Sequence, residues 1–192
     1  DALKKSLGKL TIPDDVFQEY INDGARRSVA DAMKACYDTA TSDADKKACA
    51  SSSAKEALQA SLGKADVPPA DVERFVRDGA RHATGDAMTS CMIAARANAT
   101  KIKACRSTTV KDVLKASLGK TEVSDIDVER FVEDSGREAA ANAMKAAMKV
   151  AGTDDAAKEA AARAAAKDAL KKSLGKLTIP DDVFQEYIND GA

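Results

Sequence analysis

The sequence predicts an all-α fold, an elongated bundle or solenoid-like array of tandem helical hairpins. Three observations predict it. Residues 168–192 repeat residues 1–25 letter for letter, as DALKKSLGKLTIPDDVFQEYINDGA. The phrase Ser-Leu-Gly-Lys recurs at 6–9, 61–64, 117–120 and 173–176, at offsets of 55, 56 and 56 that together give the 167-residue spacing of the duplicated ends. Apolar residues recur at helical spacing, and no stretch carries a strand signal. The modules within a period differ, while copies one period apart match wherever they overlap. Duplication of a whole 167-residue block leaves that hierarchy. Repeats of this kind are stacked units, none of which buries its apolar face alone. The units expected are repeat 1 at 1–54, repeat 2 at 55–110, repeat 3 at 111–166, and the start of the next copy of repeat 1 at 167–192. The chain reads as a tile of a longer repetitive polypeptide.

The first helix of each module is expected at roughly 14–40, 69–97 and 125–151. In module one, Phe17, Tyr20, Ile21, Gly24, Ala25, Ser28, Ala32, Met33 and Cys36 are spaced to share one face. In module three, Val128, Phe131, Val132, Ser135, Gly136, Ala139, Ala143, Met144 and Ala147 do the same. Alternating steps of three and one make a stripe about 100° wide. Pro13, Pro68 and Pro69 fall where a first turn tolerates proline, and Asp14, Asp71 and Asp127 favour a helix N-terminus. A glycine inside a helix costs about 0.5–1 kcal/mol relative to alanine. Yet Gly24-Ala25, Gly79-Ala80 and Ser135-Gly136 place a small pair at the same point each time. The stripe keeps its phase through the pair, so a close helix crossing is expected there rather than a break into two helices.

The second helix is expected at roughly 44–62, 100–118 and 154–174. It is richer in alanine and other strong helix formers. Each copy stops at Leu-Gly, which puts Gly8, Gly63, Gly119 and Gly175 at a left-handed C-terminal cap. Ile12, Val67, Val123 and Ile179 follow four residues later and are expected to tuck under the caps. Short polar links join the helices at 41–43, near 98–100 and at 152–154. Modules one and two differ in length by one residue between their cysteines, which a loop there is expected to absorb.

Alanine accounts for 40 of 192 residues, there is no Trp, and Phe plus Tyr total seven. Small side chains bury little area, at about 25 cal/mol per Å², so a lone hairpin is marginal and needs stacking or cross-links. Net charge is −1 with both signs interspersed, which gives no basic stripe for nucleic acid. The longest apolar run is far short of the ~20 residues that span a bilayer, so no membrane insertion is expected.

Cys36 and Cys49 lie in module one, and Cys91 and Cys105 hold the matching places in module two. Module three has Ala147 and Ala161 there. Loss of both together is what a bonded pair predicts, and the two sulfurs would face each other across a hairpin. Two intramodular disulfides are therefore expected, in preference to buried thiols or a four-cysteine zinc site, whose usual C-x₂₋₄-C knuckle is missing. Disulfides imply a secreted or cell-surface protein. Asn98-Ala99-Thr100 is a glycosylation sequon in an expected loop, making Asn98 a candidate.

Catalysis is not expected. The only histidine, His82, aligns with Arg27 and Glu138 and is expected to face solvent. No triad, phosphate loop, calcium loop or haem motif appears. The acidic pairs Asp14-Asp15, Asp154-Asp155 and Asp181-Asp182 read as charge complements at helix starts rather than metal ligands. No cofactor or metal is expected. The sequence points to a structural, fibre- or layer-forming role whose partners are further copies joined head to tail. The alternative is a secreted helical unit that binds lipids or other small apolar ligands. An alanine-rich ice-binding face is disfavoured, because Thr39, Thr41, Thr84, Thr108 and Thr109 form no regular period.

Overall fold

The computed structural model describes residues 14–96, 98–150 and 154–190. In chain order it contains α1 (Asp14–Thr39), α2 (Asp43–Ser51), α3 (Ser53–Leu62), α4 (Pro69–Ala95) and α5 (Ala99–Ala104). A π-helical turn (Cys105–Val110) then leads into α6 (Lys111–Leu118), α7 (Asp125–Val150), α8 (Asp155–Leu174) and α9 (Asp181–Asp190). Among the described residues there is no strand, and the fold is all-α.

The long helices α1, α4 and α7 run unbroken through the small pairs at 24–25, 79–80 and 135–136. Polar caps start the returning helices. The Ser42 hydroxyl accepts from Asp45 N while the Asp45 carboxylate reaches back to Ser42, a reciprocal pair that satisfies two otherwise orphaned donors. Asn98 accepts from Lys101 N and Asp154 from Ala156 N.

The second helices are less regular than expected in the first two hairpins. Ser52, with φ −98° and ψ −69°, separates α2 from α3, and the π-helical turn stands between α5 and α6. The third hairpin has neither, since α8 is one uninterrupted helix. Ser/Thr side chains supply a cause. Ser51 and Ser52 hydroxyls both donate to the Ala48 carbonyl, at 3.0 and 2.9 Å, and Ser107 donates to Lys103 O at 3.3 Å. Such back-bonding competes with the helical ladder and bends it. The matching stretch of α8 is Arg163-Ala164-Ala165, which has no such hydroxyls.

The one-residue difference between the first two hairpins is not absorbed by the link. That link is three residues long in both, 40–42 and 96–98, whereas α1 ends three residues beyond Cys36 and α4 ends four beyond Cys91. The last turn of α4 takes the extra residue and closes with Arg96 left-handed at φ 46°.

Two apolar clusters form the interior. The first joins Ala25, Val29 and Met33 of α1 to Ala54 and Leu58 of α3 and to Val72, Phe75 and Val76 of α4. The second joins Ala80 and Met88 of α4 to Leu114 of α6, Val128 and Val132 of α7, Leu170 and Leu174 of α8, and Phe184 of α9. The two halves of α4 thus serve different clusters. α4 lies against α1 and against α7; α6 touches α1, α8 touches α4, and α9 rests on α7.

Candidate functional site

The four cysteines form two bonds within hairpins. Cys36 bonds Cys49 with Cα atoms 5.7 Å apart, and Cys91 bonds Cys105 with Cα atoms 5.8 Å apart. Each ties the end of a long helix to the start of its return. Cys49 and Cys105 are fully buried.

Gly63, Gly119 and Gly175 adopt φ of 63°, 61° and 61°. At each, the following lysine amide bonds back to a carbonyl in the last turn: Lys64 to Gln59, Lys120 to Lys115 and Lys176 to Lys171, at 3.1, 2.9 and 3.0 Å. This geometry satisfies carbonyls that a helix end leaves open. Val67, Val123 and Ile179 are buried just beyond the caps. Gly8 and Ile12 lie outside the described residues.

The small pairs behave unequally. A Cβ at Gly79 would stand 2.8 Å from the Arg26 carbonyl oxygen and 3.4 Å from Ala30 Cβ, so α1 and α4 cross closely there. A Cβ at Gly136 would stand 2.9 Å from Leu174 Cδ2. Ser135 is buried and donates to Val132 O at 2.9 Å, and a Cβ at Gly85 would meet its Cβ at 3.5 Å. Ala25 and Ala80 are fully buried. At Gly24, by contrast, nothing lies within 4 Å of a Cβ built on the backbone.

His82 also departs from expectation. It lies between α4 and α7, one-fifth exposed, with Nε2 3.1 Å from Glu138 Oε1. The aligned positions His82 and Glu138 thus meet between α4 and α7, whereas Arg27 is exposed on α1. Asn98 is exposed, and its carboxamide oxygen is engaged in capping α5. Asp154 serves as a cap, and Asp181 pairs with Lys167, whose ammonium holds the Asp181 carboxyl below the usual carboxylate range. Among the described residues, no cluster of three or more His, Cys, Asp or Glu is placed to hold a metal, and no helix is long and apolar enough to cross a membrane.

Sequence reasoning missed two surfaces. One is an open groove of about 680 Å³ floored by Val67, Val72, Val76, Leu118 and Phe131. Lys47, Lys55, Arg77, Arg81, Lys120 and Arg130 line it against Glu73, Asp127 and Asp134. Cations outnumber acids two to one in this groove although the chain is nearly neutral. The Arg81 Nε is buried with no hydrogen-bond partner. These residues are far apart in sequence, so no local motif announces them.

The other is the outer face of α1, where Phe17 is 36% and Tyr20 46% exposed. Its sequence twin, α9, has Phe184 only 3% exposed. Arg163 and Lys167 lie over the Phe184 ring, at 5.6 and 5.7 Å, and Arg137 over the Tyr187 ring at 5.3 Å. The duplication itself was the available signal: identical segments in one chain must sit in different surroundings.

No known protein family, curated protein or solved structure matches the chain.

Proposed function

We propose that this protein is a structural building block of a large repetitive extracellular protein, a fibre, filament or surface layer made of disulfide-stapled helical hairpins. The observation that carries the reading is a recurring contact register. α4 meets α1 with Gly79 over Ala30, and α7 meets α4 with Ser135 over Gly85. Both members of the pair advance together, by 56 and 55 residues, from the first junction to the second. The offsets match those of the Ser-Leu-Gly-Lys phrase, which supports three stacked hairpins of about 56 residues rather than an irregular bundle. Two disulfides are compatible with an oxidising, extracellular setting. Stability in such an array is a sum of unit and nearest-neighbour terms. Polypeptides of one, two and four periods should therefore melt at rising temperatures, and electron microscopy of source material should reveal filaments or layers with a regular repeat. An unchanged melting temperature together with monodisperse globules would remove this reading.

The cationic groove favours one second reading, a carrier of small amphipathic anions. Apolar floor and charged rim match an acyl chain with an acidic head. Solvent extraction and mass spectrometry of the purified protein tests it. Stoichiometric recovery of one lipid class supports carriage, and a clean extract leaves the groove as a seam between stacked units.

A further inference from the structure

We propose that the groove beside α4 is the binding site for one acyl carboxylate, confined to the first hairpin junction, with Lys47, Lys120 and Arg130 holding the acidic head. The proposal rests on the carriage reading above. It adds where the ligand sits, how many the chain takes and which side chains select it.

Side chains bridge the returning segment of a hairpin to the long helix that follows it at two of the three junctions. Arg106 donates to Glu129 at 2.7 Å and Lys111 to Asp125 at 2.9 Å. At the next junction Arg163 donates to Gln185 at 3.2 Å, and Lys167 pairs with Asp181. The first junction lacks one partner of each bridge. Fifty-six residues before Arg106 and Asp125 stand Ala50 and Pro69. Lys55, the counterpart of Lys111, pairs instead with Asp66 at 3.4 Å. Glu73, the counterpart of Glu129, pairs with Arg77 of its own helix at 3.4 Å. Among the described residues no side-chain hydrogen bond or ion pair joins α2 or α3 to α4.

The groove of about 680 Å³ lies at this unbridged junction, within the roughly 300–1,000 Å³ typical of ligand pockets. Of its six cations, Lys55, Arg77 and Arg81 are matched by Asp66, Glu73 and Asp78. Lys47, Lys120 and Arg130 have no ion pair among the described residues. They are exposed, and they come from α2, from the turn after α6 and from α7. Fifty-six residues on, the same positions hold Lys103, Lys176 and Glu186, so one of the three cations becomes an acid. Unmatched like charges along a low-dielectric wall concentrate an anion there. An acyl carboxylate covers the apolar floor with its chain and meets these cations with its head.

Titration of the purified, delipidated chain with the fluorescent fatty acid cis-parinarate, kept below its aggregation limit, reads the site. One equivalent should bind, and the matching alcohol should bind about tenfold more weakly. Lys47→Ser, Lys120→Ser and Arg130→Ser should each weaken the acid by about tenfold and leave the alcohol unchanged. Lys103→Ser, at the bridged junction, should change neither. Ala50→Arg combined with Pro69→Asp supplies the missing bridge partners and should abolish binding while helix content is kept.

Two or three equivalents, or one equivalent untouched by the bridging pair, overturn the single-junction site and leave carriage standing. Equal binding of acid and alcohol overturns the role of the three cations. No binding of either probe removes carriage and this site with it. Should the bridged variant lose helix content, the three exposed cations decide, since replacing them leaves the packed interior intact. A chain that binds neither probe but self-associates, and whose association the bridging pair abolishes, assigns the groove to a second copy and overturns the proposal.

Discussion

Gly175 caps α8 directly beneath the Met88 side chain of α4, so the end of the third hairpin is pressed onto the long helix of the second. A Cβ at Gly175 would run into Met88 Cε, whereas a Cβ at Gly63 meets nothing within 4 Å. Both glycines are left-handed.

Alanine at the two caps should therefore separate backbone strain from packing. Gly63→Ala should cost about 1–2 kcal/mol, the penalty of a left-handed non-glycine residue. Gly175→Ala should add an overpacking term of about 1–3 kcal/mol. Urea denaturation of the two variants checks the order, and equal losses would mean that Met88 moves aside freely.

The same substitution at two helix-interior glycines should give opposite signs. Gly24→Ala should stabilise by about 0.5–1 kcal/mol, because alanine restricts the unfolded chain more and the site is open. Gly79→Ala should destabilise, since its Cβ would stand 2.8 Å from a carbonyl oxygen of α1. Thermal melts of the two variants read the sign directly.

Reduction should loosen the first two hairpins and spare the third. Each bond closes a loop of 13 or 14 residues, worth about 3 kcal/mol from loop-closure entropy. Hydrogen exchange with and without reductant should place faster exchange in α1–α3 and α4–α6, with α7–α8 little changed. Uniform acceleration would tie the three hairpins into one cooperative unit.

Acid should weaken the seating of α9. The Asp181 carboxyl, held low by its bond to Lys167, is more acidic when folded than when free. Its contribution is present above the ordinary carboxylate range and is lost as pH falls through the lowered folded value. Exchange protection in α9 should fall over that acid window, and Lys167→Met should weaken α9 near neutral pH and flatten the response. A pH profile identical in the two chains would show that the pair is screened by solvent.

Much of this was legible from residues alone. The cysteine pairing followed from joint absence at Ala147 and Ala161, and the caps followed from Leu-Gly at each helix end. Both are local signals, read from residues close in sequence. The bent second helices carry a local mark too, the runs Ser51-Ser52-Ser53 and Ser107-Thr108-Thr109, but the strong helix formers around them set the stronger signal. His82 was not legible, because a position that accepts three residue types looks solvent-facing and its partner is the aligned Glu138 itself, 56 residues away. The cationic groove was not legible at all. Its rim draws Lys47, Arg81 and Arg130 from three hairpins, and only packing brings them together.

The staples also set how far each hairpin can stretch. Pulled from its ends, a polypeptide yields about 3.3–3.6 Å of contour per residue. A bond across 13 residues whose Cα atoms stand 5.7 Å apart withholds roughly 40 Å of that length. The first two hairpins would then pay out shorter steps than the third, which has no bond to stop it. A strand of many periods would extend in a short, short, long rhythm, with the long step drawn from the alanine-rich hairpin. Reducing agent would erase the rhythm and leave three equal steps.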